Sequence, residues 1–245
     1  MQPPEGVAAG SAGAAPDSPA SWPFALLVPA AGAGIRMGGV RKPFLELRGR
    51  SVLDWALAPF LERPDLAEVV VALGAPPNRR LPALQDARVR ITSGGSNRFE
   101  SVANAFDHLE SGAGLIAVHD AARPFPPRAA IDACLRVAGD GVGAVAGIPA
   151  VDTVKRTGAR GVIVETPSRE TLWYAQTPQV FPRDLFARAI ELCRMVDGPP
   201  TDDASMVERL GAEVRMVQAS TTNLKITSRE DLAVAEVLVA KGLAG

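Results

Sequence analysis

Short apolar runs alternate with segments of helical period along the first half of the chain. Phe24 to Val28 is continuously apolar, which is typical of a strand buried on both faces. Within the segment from Arg98 to Glu110, Val102, Phe106 and Leu109 fall on one face of a helix. Further strands are predicted at 67–73, 89–92 and 114–119, and further helices at 51–62 and 127–138. The alternation predicts right-handed crossovers, and therefore an α/β fold in which helices cover both faces of a parallel sheet.

The pattern changes between Val142 and Phe181, where strand-like pieces follow one another without helices. Strands are predicted at 144–149, 153–156, 162–166 and 172–175. A β-rich insertion of this kind often protrudes, so residues from about 149 to 176 are predicted to form a β-arm. Helices are again predicted at 183–195 and 202–210, followed by a strand at 213–217. A last helix is predicted to begin at Ser228, with Asp231 completing an imperfect capping box.

The first 23 residues show no apolar period. They are mostly Ala, Gly, Pro and Ser with two acidic residues, a composition that predicts a disordered tail. The folded domain is therefore predicted at 24–245, a length sufficient to bury a sizeable core.

Composition excludes several classes of function. The chain has 245 residues and a formal net charge of −1, so it has no general positive field for nucleic acid or an acidic membrane. Its two cysteines, Cys134 and Cys193, fall in predicted helices, which indicates buried thiols in a reducing compartment. The uncharged stretch from Ser18 to Ile35 is interrupted by proline and glycine, and the first basic residue is Arg36, unlike a secretory signal. These features predict a cytoplasmic protein with no membrane partner.

A loop of small residues follows the first predicted strand. It reads Pro29-Ala-Ala-Gly-Ala-Gly-Ile-Arg-Met-Gly-Gly-Val-Arg-Lys42. Small side chains let a ligand approach the backbone amides, and Arg36 and Lys42 add positive charge, so the loop suits a phosphate. A dinucleotide fingerprint fails because Met37 takes the third glycine position, and no Gly-Lys-Ser/Thr completes a P-loop. A glycine-rich turn with solvated basic residues remains the alternative.

Four further segments carry candidate chemistry. They are Val118-His119-Asp120-Ala-Ala-Arg123-Pro124, Gly94-Gly95-Ser-Asn-Arg98-Phe-Glu-Ser101, Thr201-Asp-Asp-Ala-Ser205 and Asn223-Leu-Lys225-Ile-Thr227. The first two follow predicted strands, and ligands bind at the carboxyl ends of strands in an open parallel sheet. Each segment taken alone also fits a purely structural role, as an ion pair or a helix N-cap.

Taken together, these motifs resemble in order those of the 2-C-methyl-D-erythritol 4-phosphate cytidylyltransferase family of the non-mevalonate isoprenoid pathway. The resemblance extends over roughly Phe24 to Ala240. It also includes Asp152-Thr153-Val-Lys155, Arg169 ahead of Leu172-Trp173, and Gln176-Thr-Pro-Gln179. One departure is the Arg41-Lys42-Pro43 sequence, where the family usually has Pro-Lys-Gln.

The resemblance implies a three-layer Rossmann-like nucleotidyltransferase domain whose β-arm is exchanged across a homodimer. The implied substrates are CTP and a sugar-alcohol phosphate, 2-C-methyl-D-erythritol 4-phosphate, with pyrophosphate released. Mg²⁺ is the implied cofactor, bound mainly through the triphosphate, and which residues of the chain contact it is left open.

The resemblance also implies residue roles. Stabilisation of the α-phosphate and leaving group falls to Arg36, Lys42 and Lys225. Nucleotide binding falls to Ala30, Ala31, Gly32, Gly34, Gly95 and Ser101. Substrate binding falls to Asp120, Arg123 and Thr201, and to Thr153 and Arg169 from the partner's arm. Two alternatives stay open, the same transfer to another alditol phosphate such as ribitol 5-phosphate, and a non-catalytic nucleotide-sensing module.

Overall fold

Strands and helices alternate along the chain as the hydrophobic pattern predicts. The structure is a computed structural model that describes residues 22–32, 41–77 and 80–244. Its strands there are β1 (Phe24–Ala30), β2 (Glu46–Leu47), β3 (Arg50–Ser51), β4 (Leu66–Leu73), β5 (Val89–Ser93), β6 (Leu115–Val118), β7 (Gly143–Pro149), β8 (Arg156–Thr157), β9 (Ile163–Glu165), β10 (Trp173–Pro182) and β11 (Val214–Gln218). Its α-helices there are α1 (Val52–Leu61), α2 (Arg98–Asp107), α3 (Arg128–Gly139), α4 (Arg183–Met195), α5 (Asp203–Glu208) and α6 (Arg229–Ala240).

Seven of the strands form one sheet in the order β11-β7-β10-β6-β1-β4-β5. β1 pairs in parallel with β4 and β6, β4 with β5, and β7 with β11. β10 alone among these strands runs antiparallel, to both β6 and β7. The predicted mostly parallel sheet is therefore confirmed.

Helices cover both faces of this sheet. Alternate residues of β1 point to opposite faces, so Leu26 joins one buried cluster and Leu27 the other. The first cluster includes side chains of α1 and α3, and the second includes side chains of α2, α4 and α5. The arrangement is the predicted three-layer α/β architecture, and Cys134 and Cys193 are buried free thiols within it.

The segment between β7 and β10 lies apart from the main sheet. β8 and β9 pair antiparallel as a separate two-stranded sheet, and their side chains are exposed. The prediction of a strand at 153–156 is wrong for 153–155, because β8 begins at Arg156. The strand predicted at 172–175 is too short, because β10 runs from Trp173 to Pro182 and its second half is buried in the core.

The last helix, α6, begins with a capping box. The Ser228 hydroxyl accepts a hydrogen bond from the Asp231 amide, and the Asp231 carboxylate accepts one from the Ser228 amide, so the predicted capping box is confirmed.

Of the predicted N-terminal tail, residues 1–21 lie outside the described residues. No helix in the described ranges is long and apolar enough to span a bilayer.

Candidate active site

A pocket of about 540 Å³ opens where β1, β5 and β6 end. Five separate segments line it, namely residues 29–32, 42–43, 95–98 with 101, 120–122, and Lys225. The carboxyl ends of parallel strands meet at one edge of a sheet, which explains why segments so distant in sequence converge. The Asp120 segment therefore lines the same pocket as residues 29–32 and Lys42, the described ends of the glycine-rich segment.

Lys42 stands at one wall of the pocket, at the start of a short 3-10 helix (Lys42–Phe44). The neighbouring Arg41 guanidinium donates hydrogen bonds to the carbonyls of Ala75 and Pro76, and it also lies 4.5 Å from the Phe44 ring centroid. Pro43 is buried in the first turn of the 3-10 helix, where proline's lack of an N–H is tolerated. The contacts of Arg41 and the burial of Pro43 therefore fix the backbone on both sides of Lys42.

Close backbone packing shapes the wall around Ala31. A Cβ atom on Gly94 would overlap the Ala31 side chain, and one on Gly74 would come 2.8 Å from the Ala31 carbonyl oxygen. Glycine at both positions lets the Ala31 backbone sit against the ends of β4 and β5. A larger residue at position 94 would push Ala31 into the pocket.

Ser101 holds the turn that follows β5. Its hydroxyl accepts a hydrogen bond from the Gly95 amide at 3.1 Å and donates one to the Asn97 carbonyl at 2.9 Å. The hydroxyl proton and the Gly95 N–H are thus used within the protein, and Ser101 keeps one lone pair as an acceptor.

Asp120 is the centre of a charged cluster in the pocket wall. Its Oδ1 accepts a hydrogen bond from Arg98 Nε at 3.2 Å, and its Oδ2 accepts one from Lys225 Nζ at 2.8 Å. Burial alone would raise the pKa of Asp120, but Arg98 and Lys225 outweigh it and hold the pKa well below its usual range. Asp120 is therefore an ionised carboxylate at neutral pH.

Arg123 lies behind this cluster. Its Nη1 donates to the Asn223 carbonyl at 2.8 Å, and its Nε lies 3.7 Å from Asp120 Oδ2. Burial lowers the pKa of Arg123, and its Nε atom is buried without a hydrogen-bond acceptor. Arg123 therefore ties the turn after β6 to the segment that carries Lys225.

The polar residues of β10 connect the loops around the pocket. Gln176 accepts a hydrogen bond from Asn223 Nδ2 at 2.9 Å, which anchors the Lys225 segment. Thr177 Oγ1 accepts one from the Asp120 amide at 3.0 Å. Gln179 Nε2 donates to Asp202 at the N-terminus of α5, 2.9 Å away. One strand thus fixes three loops of the site.

The protein matches a known family over most of its length. The model of the family described as 2-C-methyl-D-erythritol 4-phosphate cytidylyltransferase matches residues 24–241. The chain belongs to this cytidylyltransferase family. A relative of that name from Symbiobacterium thermophilum is 41% identical over 220 residues, covering 89% of this chain and 93% of the relative. Another, from Aeromonas hydrophila, is 42% identical, covering 85% and 86%.

A solved structure of the family shares the fold. The crystal structure of 2-C-methyl-D-erythritol 4-phosphate cytidylyltransferase from Thermus thermophilus superposes with a TM-score of 0.73 at 34% identity. The match covers 88% of this chain and 98% of that one. The fold and the family membership suggested by the sequence motifs are therefore confirmed.

Most residues singled out by the cytidylyltransferase motifs meet in the pocket. Those that line it are Ala30, Ala31, Gly32, Lys42, Gly95, Ser101, Asp120 and Lys225. Thr153, Arg169 and Thr201 are exposed and do not line it within this single chain. Gly34 and Arg36 lie outside the described residues.

Two residues of the cluster received no role from the sequence. Arg98 lies at the start of α2, and Asp203 lies in the first turn of α5, 1% exposed. Arg98 Nη1 and Nη2 each donate to one Asp203 oxygen, at 2.9 and 2.6 Å. The adjacent acids Asp202 and Asp203 were visible in the sequence, but nothing there indicated which of the two is buried.

Proposed function

We propose that this chain transfers a cytidylyl group from CTP to 2-C-methyl-D-erythritol 4-phosphate, giving 4-diphosphocytidyl-2-C-methyl-D-erythritol and pyrophosphate. The observation that carries the proposal is that Lys42 and Lys225, from opposite ends of the chain, line one pocket with the backbone of residues 29–32. A pocket with two ammonium groups beside small residues suits a triphosphate and a second phosphate.

The chemistry needs positioning and charge more than a base. The substrate phosphate is already a nucleophile, so it attacks the α-phosphorus in line with the departing pyrophosphate. Lys42 and Lys225 stabilise the charge that develops on the α-phosphate and the leaving group. We assign Arg36 to the same task.

Base choice follows from hydrogen-bond complementarity. We assign the backbone at Ala30, Ala31 and Gly95 to contacts with the base edge, together with Ser101, whose hydroxyl keeps one lone pair as an acceptor. Acceptors suit the exocyclic amino group of cytosine, whereas the corresponding carbonyl of uracil leaves them unpaired. Gly32 and Gly34 bring the backbone close to the phosphates. Preference for CTP over UTP follows.

The second substrate occupies the opposite end of the pocket in this proposal. Asp120 presents a carboxylate to hydroxyl groups of the sugar alcohol, supported by Arg123 and by Thr201. Asp120 suits this role because its ionised state makes it a strong acceptor.

Mg²⁺ is proposed to arrive with the nucleotide. Among the described residues, no group of three or more His, Cys, Asp or Glu side chains is placed to hold a metal. Both oxygens of Asp120 already contact cations. The donor set therefore fits an ion carried by triphosphate oxygens and water, which would neutralise part of the phosphate charge.

A homodimer with exchanged arms completes the proposed site. Val162, Ile163 and Val164 on the arm are 58%, 58% and 61% exposed, a consecutive apolar run that a second subunit would cover. In that arrangement Thr153 and Arg169 of the partner subunit grip the substrate phosphate. We place the reaction in the cytoplasm, where the free thiols Cys134 and Cys193 stay reduced.

A pyrophosphate-release assay tests the proposal. CTP, UTP and ATP are each offered with 2-C-methyl-D-erythritol 4-phosphate and with ribitol 5-phosphate. We expect release with CTP and the methylerythritol phosphate, a lower kcat/KM with UTP and the lowest with ATP. Equal kcat/KM for CTP and ATP, or faster release with ribitol 5-phosphate, would refute the assignment.

A further inference from the structure

Asp203 makes a two-point contact with a pocket residue. The Asp203 carboxylate accepts both Nη groups of Arg98, which fixes the plane of the guanidinium. Burial raises the pKa of Asp203, whereas the pKa of Arg98 lies above its usual range because Asp203 and Asp120 outweigh its own burial. The contact is thus a buried ion pair that reaches the pocket wall through Arg98.

The orientation of Arg98 decides how Asp120 is shared. With both Nη groups on Asp203, Arg98 offers only Nε to Asp120, on Oδ1 at 3.2 Å. Oδ2 is left for Lys225 Nζ at 2.8 Å. The two oxygens of Asp120 are therefore divided between one arginine and one lysine.

The first turn of α5 holds Asp203 in place. The Gln179 side-chain oxygen accepts the Ala204 amide at 2.8 Å, while its Nε2 donates to Asp202 Oδ2 at 2.9 Å. Asp202 also caps the helix by accepting the Ser205 amide through Oδ1. Asp202 therefore anchors the backbone, and Asp203 alone of the two contacts Arg98.

We propose that Asp203 is a positioning residue, which retains Arg98 so that Asp120 can hold Lys225 at the pocket wall. Three cations, Arg98, Arg123 and Lys225, surround two carboxylates here. Without the Asp203 charge, the Nη groups of Arg98 compete with Lys225 for Asp120. This inference rests on the proposed function for its catalytic consequence, but its structural part can be measured separately.

The first measurement is the reactivity of Lys225 in Asp203→Asn. An amine reagent, trinitrobenzenesulfonate, is added and the modified peptides are quantified by mass spectrometry. The chain has four lysines, Lys42, Lys155, Lys225 and Lys241, so each is assigned without ambiguity. We expect Lys225 to react several-fold faster in the variant, because its Nζ is released from Asp120, while Lys155 and Lys241 keep the wild-type rate.

Asp184→Asn is the matched control. It is the same chemical change in the first turn of another helix, α4, where Asp184 is exposed. Its Lys225 reactivity should equal that of the wild type. Asp203→Ala removes the same charge, so it should reproduce the Asp203→Asn result and replaces that variant if Asp203→Asn does not fold.

The second measurement is a double-mutant cycle in single-turnover assays. Asp203→Asn should lower the rate of the chemical step by about 10- to 100-fold, the scale of a catalytic group displaced by about 1 Å, with the Kd for CTP changed less than about threefold. In a Lys225→Met background the same change should cost less than about twofold, because the group being positioned is gone.

The outcomes separate the two proposals. Equal loss in both backgrounds, or unchanged Lys225 labelling in correctly folded Asp203→Asn or Asp203→Ala, overturns the positioning role. If the wild-type protein releases no pyrophosphate from CTP and 2-C-methyl-D-erythritol 4-phosphate, the proposed function fails, and the labelling result still decides whether Asp203 controls Lys225.

Discussion

At the scale of single residues, Lys42 gives the clearest prediction. Lys42→Ala should lower kcat by more than about 100-fold at saturating CTP, the scale of losing one preorganised charge in an active site. The fold should be unaffected, because an incompletely buried loop lysine contributes little to stability. Steady-state pyrophosphate release and a thermal melt measure the two effects.

Lys241→Ala is the control for this substitution, since Lys241 follows α6 and does not line the pocket. It should keep wild-type turnover. Near-normal turnover in Lys42→Ala would remove Lys42 from the chemistry, whereas a lowered melting temperature would point to a structural contribution.

Residue roles were predictable where a local motif carries them. Lys42 ends a segment of small residues, a composition that indicates a phosphate site. Asp120 comes shortly after the buried strand β6, where ligand-binding residues are expected. Asp203 was not predictable in the same way, because its meaning depends on Arg98, 105 residues earlier in the chain. A contact between distant residues leaves no periodicity in the sequence.

At the scale of elements, the turn after β6 depends on a buried histidine. His119 Nε2 lies 2.9 Å from the Arg123 carbonyl, which can only accept, so this nitrogen carries the proton. Nδ1 then accepts from the Thr177 hydroxyl at 2.9 Å. The neutral ring packs beside Phe60, and burial lowers the pKa of His119 to about 4.

This lowered pKa predicts a loss of stability in mild acid. The unfolded chain takes up a proton near pH 6.5 while the folded protein resists it until about pH 4. The free energy of unfolding should therefore fall as the pH falls through this window, by up to about 3 kcal/mol. Asp203, whose pKa burial raises, acts with the opposite sign. Urea unfolding at a series of pH values measures the slope.

In the His119→Gln variant the free energy of unfolding should fall less steeply with pH in that window, because the substitution removes the group that titrates. His108→Gln, at the exposed end of α2, controls for loss of a histidine. An unchanged slope in His119→Gln would assign the acid sensitivity to other groups.

The predictions were most accurate for helices and strands with a regular apolar period. The helices from α1 to α4 and the buried strands β1 and β4 follow clear apolar periods. β10 was drawn too short because Gln176, Thr177 and Gln179 are polar, yet all three are buried. Their side chains form hydrogen bonds with the loops around the pocket. A buried strand that carries polar residues for this purpose lacks the apolar run by which the other strands are predicted.

At the scale of the whole molecule, arm exchange predicts complementation between inactive variants. Lys42→Ala and Arg169→Ala homodimers should each be nearly inactive. After subunit exchange, half of the dimers combine one chain of each kind, and in these one of the two sites has both residues intact. Activity should recover to about a quarter of wild type, measured by pyrophosphate release and with heterodimers verified by tag pull-down.

No recovery in verified heterodimers would show that Arg169 acts within its own chain or has no catalytic role. In the single chain Arg169 Nη1 donates to the Val151 carbonyl at 2.7 Å, at the base of the arm. Val151→Ala, which keeps that carbonyl, serves as a control for general damage to the arm.

The pairing of β7 with β10 has a consequence for how such proteins vary in length. Pro149 and Trp173 are opposite each other in this ladder, and the Ala150 amide bonds to the Leu172 carbonyl at 2.9 Å. The point where the chain leaves the sheet is therefore the point where it returns. The segment from 151 to 171 is thus a long connection between two antiparallel neighbouring strands. Insertions, deletions or complete replacement of this connection need not change the register of the sheet that carries the pocket.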